Sequence, residues 1–150
     1  MEFSDFIQQL RTKLHSLFNE EQDIDELSLE RGLPDDILNE VMECQPLSVF
    51  IPEEYGGSGA EALAMLETSS YESLSLSLMM GINGALFLQP VANYGQDKVK
   101  REIFDKFVVD GKMGGLMITE PDFGSDALRM ETSYRKDSKT GLYQVKGIKH

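Results

Sequence analysis

The sequence predicts a mainly α-helical chain, an up-and-down helical bundle followed by the first strands of an incomplete antiparallel β-domain, and three observations predict it. Apolar residues recur at spacings of three and four from Phe3 to Val108, the repeat that lines one side of an α-helix. A stretch with no charged residue runs from Ser73 to Gln96, interrupted by Ser75, Ser77, Asn83, Gln89, Pro90 and Asn93. That is too polar for a bilayer core and suits a helix buried on nearly all sides. After Gly111 the helical repeat gives way to extended apolar segments. The expected boundary therefore lies at Gly111, with residues 1–111 helical and residues 112–150 opening a β-domain that is unfinished at His150.

The first helix carries Phe3, Phe6, Ile7, Leu10, Leu14, Leu17 and Phe18 on a single stripe. The acidic run from Glu20 to Glu26 follows, and it lacks the alternating ligand and glycine spacing of a calcium loop, so it reads as a solvated connection. A second helix opens at Leu33-Pro34-Asp35-Asp36, with proline in the first turn and acids at the positive end of the dipole, and Pro46 closes it. Leu47 to Ile51 lead into Pro52-Glu53-Glu54-Tyr55-Gly56-Gly57, where proline and paired glycines reverse the chain. Ser58 and Glu61 have capping-box spacing, which predicts a third helix from Ser58 with Ala62, Leu63, Met65 and Leu66 inward.

The uncharged helix should run from about Ser73 to Tyr94, kinked by Pro90 and ended by Gly95 as a left-handed cap. From Gln96 to Asp110 the spacing is amphipathic again, with Val99, Ile103, Phe104, Phe107 and Val108 on one side. Residues 116–119, 128–135 and 142–149 read as strands, and Lys136 to Gly141 as the hairpin loop between the last two.

Twenty-six acidic residues against fourteen basic give a net charge of −12, a field that repels phosphate backbones and anionic lipid. Neither nucleic acid nor stable membrane insertion is expected. Cys44 is the only cysteine, so no intrachain disulfide can form, and a reducing compartment, the cytoplasm by default, is the expected location. The opening residues carry acids where a secretory signal would carry lysines. No histidine or second cysteine lies near Cys44 to activate it, which makes it an inert thiol. His15 and His150 lack further ligands for a metal site, and His15 reads as a surface residue.

The segment that points to chemistry is Gly114-Gly115-Leu116-Met117-Ile118-Thr119-Glu120-Pro121-Asp122-Phe123-Gly124-Ser125-Asp126. Its residues alone leave two readings. It is a rigid connection fixed by Pro121 and Gly124, or its backbone groups and the hydroxyls of Thr119 and Ser125 line a ligand pocket. On the uncharged helix, Met79, Ile82 and Leu86 share one face at i, i+3 and i+7, which suits either an adaptable apolar wall or plain core packing.

Four segments occur in order: Pro52 to Gly59, Tyr94-Gly95-Gln96-Asp97-Lys98-Val99-Lys100, Gly111 to Asp126, and Tyr143 to His150. Together they resemble the N-terminal part of the acyl-CoA dehydrogenase family, a likeness that is weakest over residues 1–43. The resemblance implies a helical first domain, a β-barrel-like middle domain and a second helical domain that this chain lacks. It implies FAD as cofactor for the full-length protein, with Leu116, Ile118 and Thr119 along the isoalloxazine, their backbone N–H and C=O groups and the Thr119 hydroxyl bonding the ring edge, Gly124 allowing close approach, and Ser125 bonding the pyrophosphate or the CoA arm of the substrate. Met79, Ile82 and Leu86 would border the acyl chain.

The implied reaction is α,β-dehydrogenation of an acyl-CoA thioester. In it a carboxylate takes the α-proton, the flavin takes the β-hydrogen as hydride, and an electron-transferring flavoprotein reoxidises the flavin. The base lies in the missing domain, so no catalytic residue, Glu120 included, is assigned here, and the chain alone is expected to be inactive. The full-length protein is expected to be a homo-oligomer. Asp122 and Phe123 stand where the family usually has small residues. An acyl-CoA oxidase or flavin monooxygenase of the same superfamily, and a non-catalytic helical interaction module, are the competing readings.

Overall fold

The first apolar stripe buries the face its spacing marks out. Helix α1 (Phe3–His15) buries Phe6, Leu10 and Leu14, and a π-helical turn, Ser16–Glu20, continues the same face through Leu17 and Phe18. The computed structural model describes residues 3–21, 23–29 and 32–150; the side chain of Phe3 lies outside the described residues. The chain divides into two compact units, Met1–Gly115 and Leu116–His150.

In the first unit, part of the acidic run is helical rather than a solvated connection. Helix α2 (Ile24–Leu29) begins where the Asp23 carboxylate accepts the N–H of Asp25 at 2.9 Å and of Glu26 at 3.4 Å. Asp23 is thus a helix cap, a role its short acceptor side chain suits, with Glu26 three residues on. Gln22, within the same run, lies outside the described residues. Helix α3 (Asp35–Glu43) starts one residue after Pro34, which occupies the cap position, and it buries Ile37 and Val41. Gln45, at φ 52°, turns the chain into a short 3₁₀ helix, Pro46–Phe50, that buries Leu47 and Phe50. At the following turn Gly56 has φ +91°, and a Cβ on Gly57 would lie 1.7 Å from the Ile51 carbonyl oxygen. Both glycines are therefore required, one by its dihedral and one by contact.

The capping box expected at Ser58 does not form. The Ser58 hydroxyl accepts only the Ala60 N–H, at 3.3 Å, and helix α4 (Ala62–Glu72) starts four residues later with Glu61 as its cap. Gly59, at φ +66°, breaks the helical path between them. Met65 is buried as expected, whereas Leu63 is 78% exposed.

Ser73 ends α4 and caps α5 (Leu74–Asn83), its hydroxyl accepting the Leu76 N–H at 3.2 Å. A π-helical turn, Gly84–Leu88, and α6 (Gln89–Tyr94) continue α5, so that Leu74–Tyr94 is one helix. Pro90 cannot donate to the carbonyl four residues back, and the register changes just ahead of it, where Gln89 N–H reaches Gly84 O. The helix is long and apolar enough to cross a membrane by length and composition. It is not buried on nearly all sides: Leu76, Met80 and Leu88 are buried while Leu74, Leu78, Ile82 and Leu86 are exposed.

Gly95 is extended (φ −67°, ψ 150°) instead of left-handed, and a Cβ there would lie 2.6 Å from the Val91 carbonyl oxygen. The glycine serves close approach, not dihedral freedom. Helix α7 (Asp97–Val109) buries Phe104 and Phe107 but leaves Val99 exposed. Gly111, at φ +59°, closes its end, and the Lys112 N–H returns to the Lys106 carbonyl at 3.2 Å.

The second unit is a hairpin of β1 (Ser133–Lys136) and β2 (Tyr143–Lys146), antiparallel with Tyr134 opposite Val145 and Arg135 opposite Gln144. Asp137 shapes the loop: its carboxylate accepts the N–H groups of Lys139 and Thr140, and Gly141 supplies φ +71°. The strand expected at residues 128–135 is shorter, since Ala127–Arg129 is a 3₁₀ turn. Residues 116–119 do not form a strand. A strand exists by virtue of its ladder, and the N–H groups of this segment have no partner among the described residues.

Two glycines of the long helix distinguish packing from propensity. A Cβ on Gly84 would lie 2.1 Å from a ring carbon of Phe50, while one on Gly81 would meet only Leu66, at 3.7 Å. Gly84→Ala is expected to cost about 1–3 kcal/mol by overpacking, and Gly81→Ala to stabilise by about 0.5–1 kcal/mol through helix propensity. Urea titration of the helical circular-dichroism signal checks both signs.

Candidate functional site

The segment singled out by sequence leaves the first unit under a specific tether. Asn83, buried on α5, donates its amide to the Met79 carbonyl at 2.9 Å, and its side-chain oxygen accepts the Gly114 N–H at 2.7 Å. Gly114 must be glycine, because a Cβ would lie 2.5 Å from the Phe87 ring, itself stacked on Phe107 at 5.4 Å. The start of the segment is therefore held by side chains of the helical unit.

In the second unit, Glu120, Pro121, Asp122 and Phe123 form a tight turn in which Glu120 and Phe123 exchange both backbone hydrogen bonds, at 3.0 and 3.1 Å. Leu116, Ile118, Gly124 and Ser125 are exposed and Thr119 is half-buried. A Cβ on Gly124 would meet open space. The N–H groups of Leu116, Met117, Ile118 and Thr119, and the hydroxyls of Thr119 and Ser125, have no partner among the described residues. The Ile118 and Thr119 carbonyls are occupied, the first by the Lys149 ammonium at 3.0 Å and the second by the His150 N–H at 3.1 Å. This stretch offers hydrogen-bond donors to a ligand that carries acceptors.

Glu120 organises the stretch. It is 4% exposed. One oxygen accepts the Glu131 N–H at 2.7 Å, and the other accepts the Thr132 N–H at 2.9 Å and pairs with Lys149 Nζ at 2.8 Å. Lys149, chiefly, and the N–H groups that stabilise the anion pull the carboxyl from about 4.5 down to about 2. A carboxylate so held is an anchor, not a proton acceptor poised near neutrality. Sequence reasoning set Glu120 aside and did not find Lys149 at all; the two are 29 positions apart, and no local pattern announces their pairing.

On the helical unit, Met79 packs against the core, whereas Ile82 is 39% and Leu86 47% exposed. Core packing within this unit thus explains Met79 and leaves Ile82 and Leu86 unexplained. Leu74 and Leu78 extend the exposed stripe at spacings of four. These residues belong to the first unit and the donor segment to the second.

A cleft of about 680 Å³ lies elsewhere, between α1 and α4. There His15 Nδ1 stands 3.2 Å from the Glu72 carboxylate, to which Asn19 also donates. His15 is exposed, as expected. Burial pushes the Cys44 thiol above its ordinary value, away from thiolate chemistry. Among the described residues no three His, Cys, Asp or Glu side chains gather to hold a metal ion.

A family profile described as "Acyl-CoA dehydrogenase, N-terminal domain" matches residues 4–110. The short-chain specific acyl-CoA dehydrogenase of mitochondria from Rattus norvegicus is 30% identical over 115 residues, covering 75% of this chain and 28% of the rat protein. Among solved structures, butyryl-CoA dehydrogenase from Megasphaera elsdenii matches with a TM-score of 0.74 at 19% identity, over 95% of this chain and 39% of that one. An acyl-CoA dehydrogenase from Bacillus anthracis, solved in complex with FAD, matches with a TM-score of 0.67 at 23% identity, over 99% of this chain and 26% of that one. The structural likenesses establish the fold. The chain spans between a quarter and two fifths of the length of these proteins.

The Glu120 anchor has a pH signature. Its folded value lies below its unfolded one, so its stabilisation is complete above about pH 4.5, declines as the pH falls, and is gone below about 2. Asp137 is also held low, by the Thr140 and Lys139 N–H groups, so the readout must be local to Glu120. Exchange protection of the Glu131 and Thr132 amides should stay level down to about pH 4.5 and then fall in the native chain. It should be low throughout in Glu120→Gln, and an identical acid decline in that variant would assign the effect to another group.

Proposed function

The chain belongs to the acyl-CoA dehydrogenase family, and on that premise we propose that it is the N-terminal portion of an FAD-dependent dehydrogenase of acyl-CoA thioesters. The observation that carries the reading is the run of unpartnered donors at residues 116–119, beside an open Gly124 and a free Ser125 hydroxyl, in a chain whose helical part matches that family. These residues fit FAD, whose ring edge and pyrophosphate are rich in acceptors.

When bound, FAD supplies the acceptor for the β-hydrogen of the substrate. The chain's own residues bind and orient. The N–H groups of Leu116 and Ile118 and the hydroxyl of Thr119 meet the ring edge, Gly124 admits the cofactor backbone-close, and Ser125 donates to the pyrophosphate or to the CoA arm. Met79, Ile82 and Leu86 border the acyl chain, which accounts for Ile82 and Leu86 being left exposed on α5 and the π turn after it. The proton-abstracting carboxylate and the main contacts for homo-oligomer formation lie outside residues 1–150, and an electron-transferring flavoprotein reoxidises the flavin. The lone, half-buried Cys44 suits a reducing compartment such as the cytoplasm.

With FAD added, the 150-residue chain is expected to give no acyl-CoA-dependent reduction of a dye. Turnover by the chain itself would contradict this division of labour. Ile82→Asp separates wall from core: an exposed position should shift the urea midpoint little, within about 0.5 kcal/mol, while acyl-CoA binding by the full-length protein weakens at least roughly tenfold, on the scale of one lost apolar side chain. A large loss of stability with unchanged acyl-CoA affinity would place Ile82 in structure rather than in the pocket.

A further inference from the structure

Lys149 Nζ does two things at once in the second unit. It pairs with the buried Glu120 carboxylate at 2.8 Å and donates to the Ile118 carbonyl at 3.0 Å, with Met130 Sδ at 3.1 Å as a third neighbour. The adjacent Thr119 carbonyl is taken by the His150 N–H. Both carbonyls of the Ile118-Thr119 dipeptide are therefore engaged inside the chain. Its N–H groups and the Thr119 hydroxyl stay free. An ammonium settles against a backbone carbonyl in this way because a buried carboxylate, itself locked by two further N–H groups, fixes where it sits.

We propose that Glu120 is a positioning residue for bound flavin. By holding Lys149 against the Ile118 carbonyl, it makes the Ile118-Thr119 dipeptide a donor-rich surface that favours the electron-rich, reduced form of the cofactor. The inference rests on the flavin reading above and goes beyond it, since Glu120 touches no cofactor and acts through Lys149. Free carbonyls at the same place would repel an electron-rich ring edge, whereas donors stabilise it more strongly than they stabilise the oxidised edge. Glu120→Gln keeps the shape but cannot accept from both N–H groups and an ammonium as an anion does, so Lys149 turns to water and the Ile118 carbonyl is released.

The test uses the ¹⁵N-labelled full-length protein as wild type, Glu120→Gln and Lys149→Met. Each is titrated with oxidised FAD and, without oxygen, with reduced FAD, and the Ile118 and Thr119 amide shifts give two dissociation constants. The wild type should bind reduced FAD more tightly. Both variants should lose roughly tenfold more affinity for the reduced form than for the oxidised form, the scale of one charge-assisted hydrogen bond, which makes the bound flavin harder to reduce by about 30 mV. Protection of the hairpin amides confirms that each variant is folded, and Lys149→Met decides the matter if Glu120→Gln is not. Equal losses for the two forms would overturn the proposal and leave Glu120 a structural carboxylate. A wild type whose Ile118 and Thr119 amides respond to neither form would sink the flavin reading itself, and this inference with it.

Discussion

The packing of the helical unit turns on the contact between Phe50 and Gly84. The Phe50 ring occupies the space that any side chain at position 84 would need, which seats the 3₁₀ helix Pro46–Phe50 against the middle of the long helix. Around that contact, Leu10 and Leu14 of α1, Met65 of α4, Leu76 and Met80 of α5, and Phe104 of α7 close one core. Protein interiors are packed densely enough that a single methyl group at such a point is felt throughout. The residue before Gly84 carries the consequence toward function. Asn83 is held in the same buried stretch and captures the Gly114 N–H, so the core holds the last residues of the helical unit.

The long helix has two apolar faces with different fates. One, with Leu76, Met80 and Leu88, is consumed by the core, and the other, with Leu74, Leu78, Ile82 and Leu86, is left in the open. Composition cannot tell these apart, because both faces contribute the same residue types to an uncharged run. The serines are more informative once placed. Ser73 caps the helix through the Leu76 N–H, and Ser77 donates its hydroxyl to the Leu66 carbonyl of the neighbouring α4 at 2.9 Å, so both hydroxyls are bonded within the unit.

Several local signals failed for one reason: a competing local geometry was available. Ser58 and Glu61 have the right spacing for a capping box, but Gly59 takes a left-handed turn between them and the serine hydroxyl closes a shorter ring to Ala60. Gly95 follows a helix as a left-handed cap would, yet it is there because the Val91 carbonyl leaves no room for a Cβ. In the acidic run the error went the other way. Asp23 and Glu26 carry a capping pattern, and the density of charge hid it.

The sequence by itself determined the helical periodicity, the hairpin around Asp137 and Gly141, and the family to which residues 4–110 belong. Each of these is written in neighbours a few positions apart, where side-chain spacing and turn chemistry act directly. Tertiary structure alone decided that residues 116–119 stay unpaired, that Glu120 is buried, and that Lys149 occupies the Ile118 carbonyl. It alone decided that Ile82 and Leu86 face outward while Met80 and Leu88 do not. Those outcomes depend on which distant groups arrive to fill a hydrogen-bond site or to cover a face. A carboxylate and an ammonium 29 residues apart become one anchor only when the chain between them has folded.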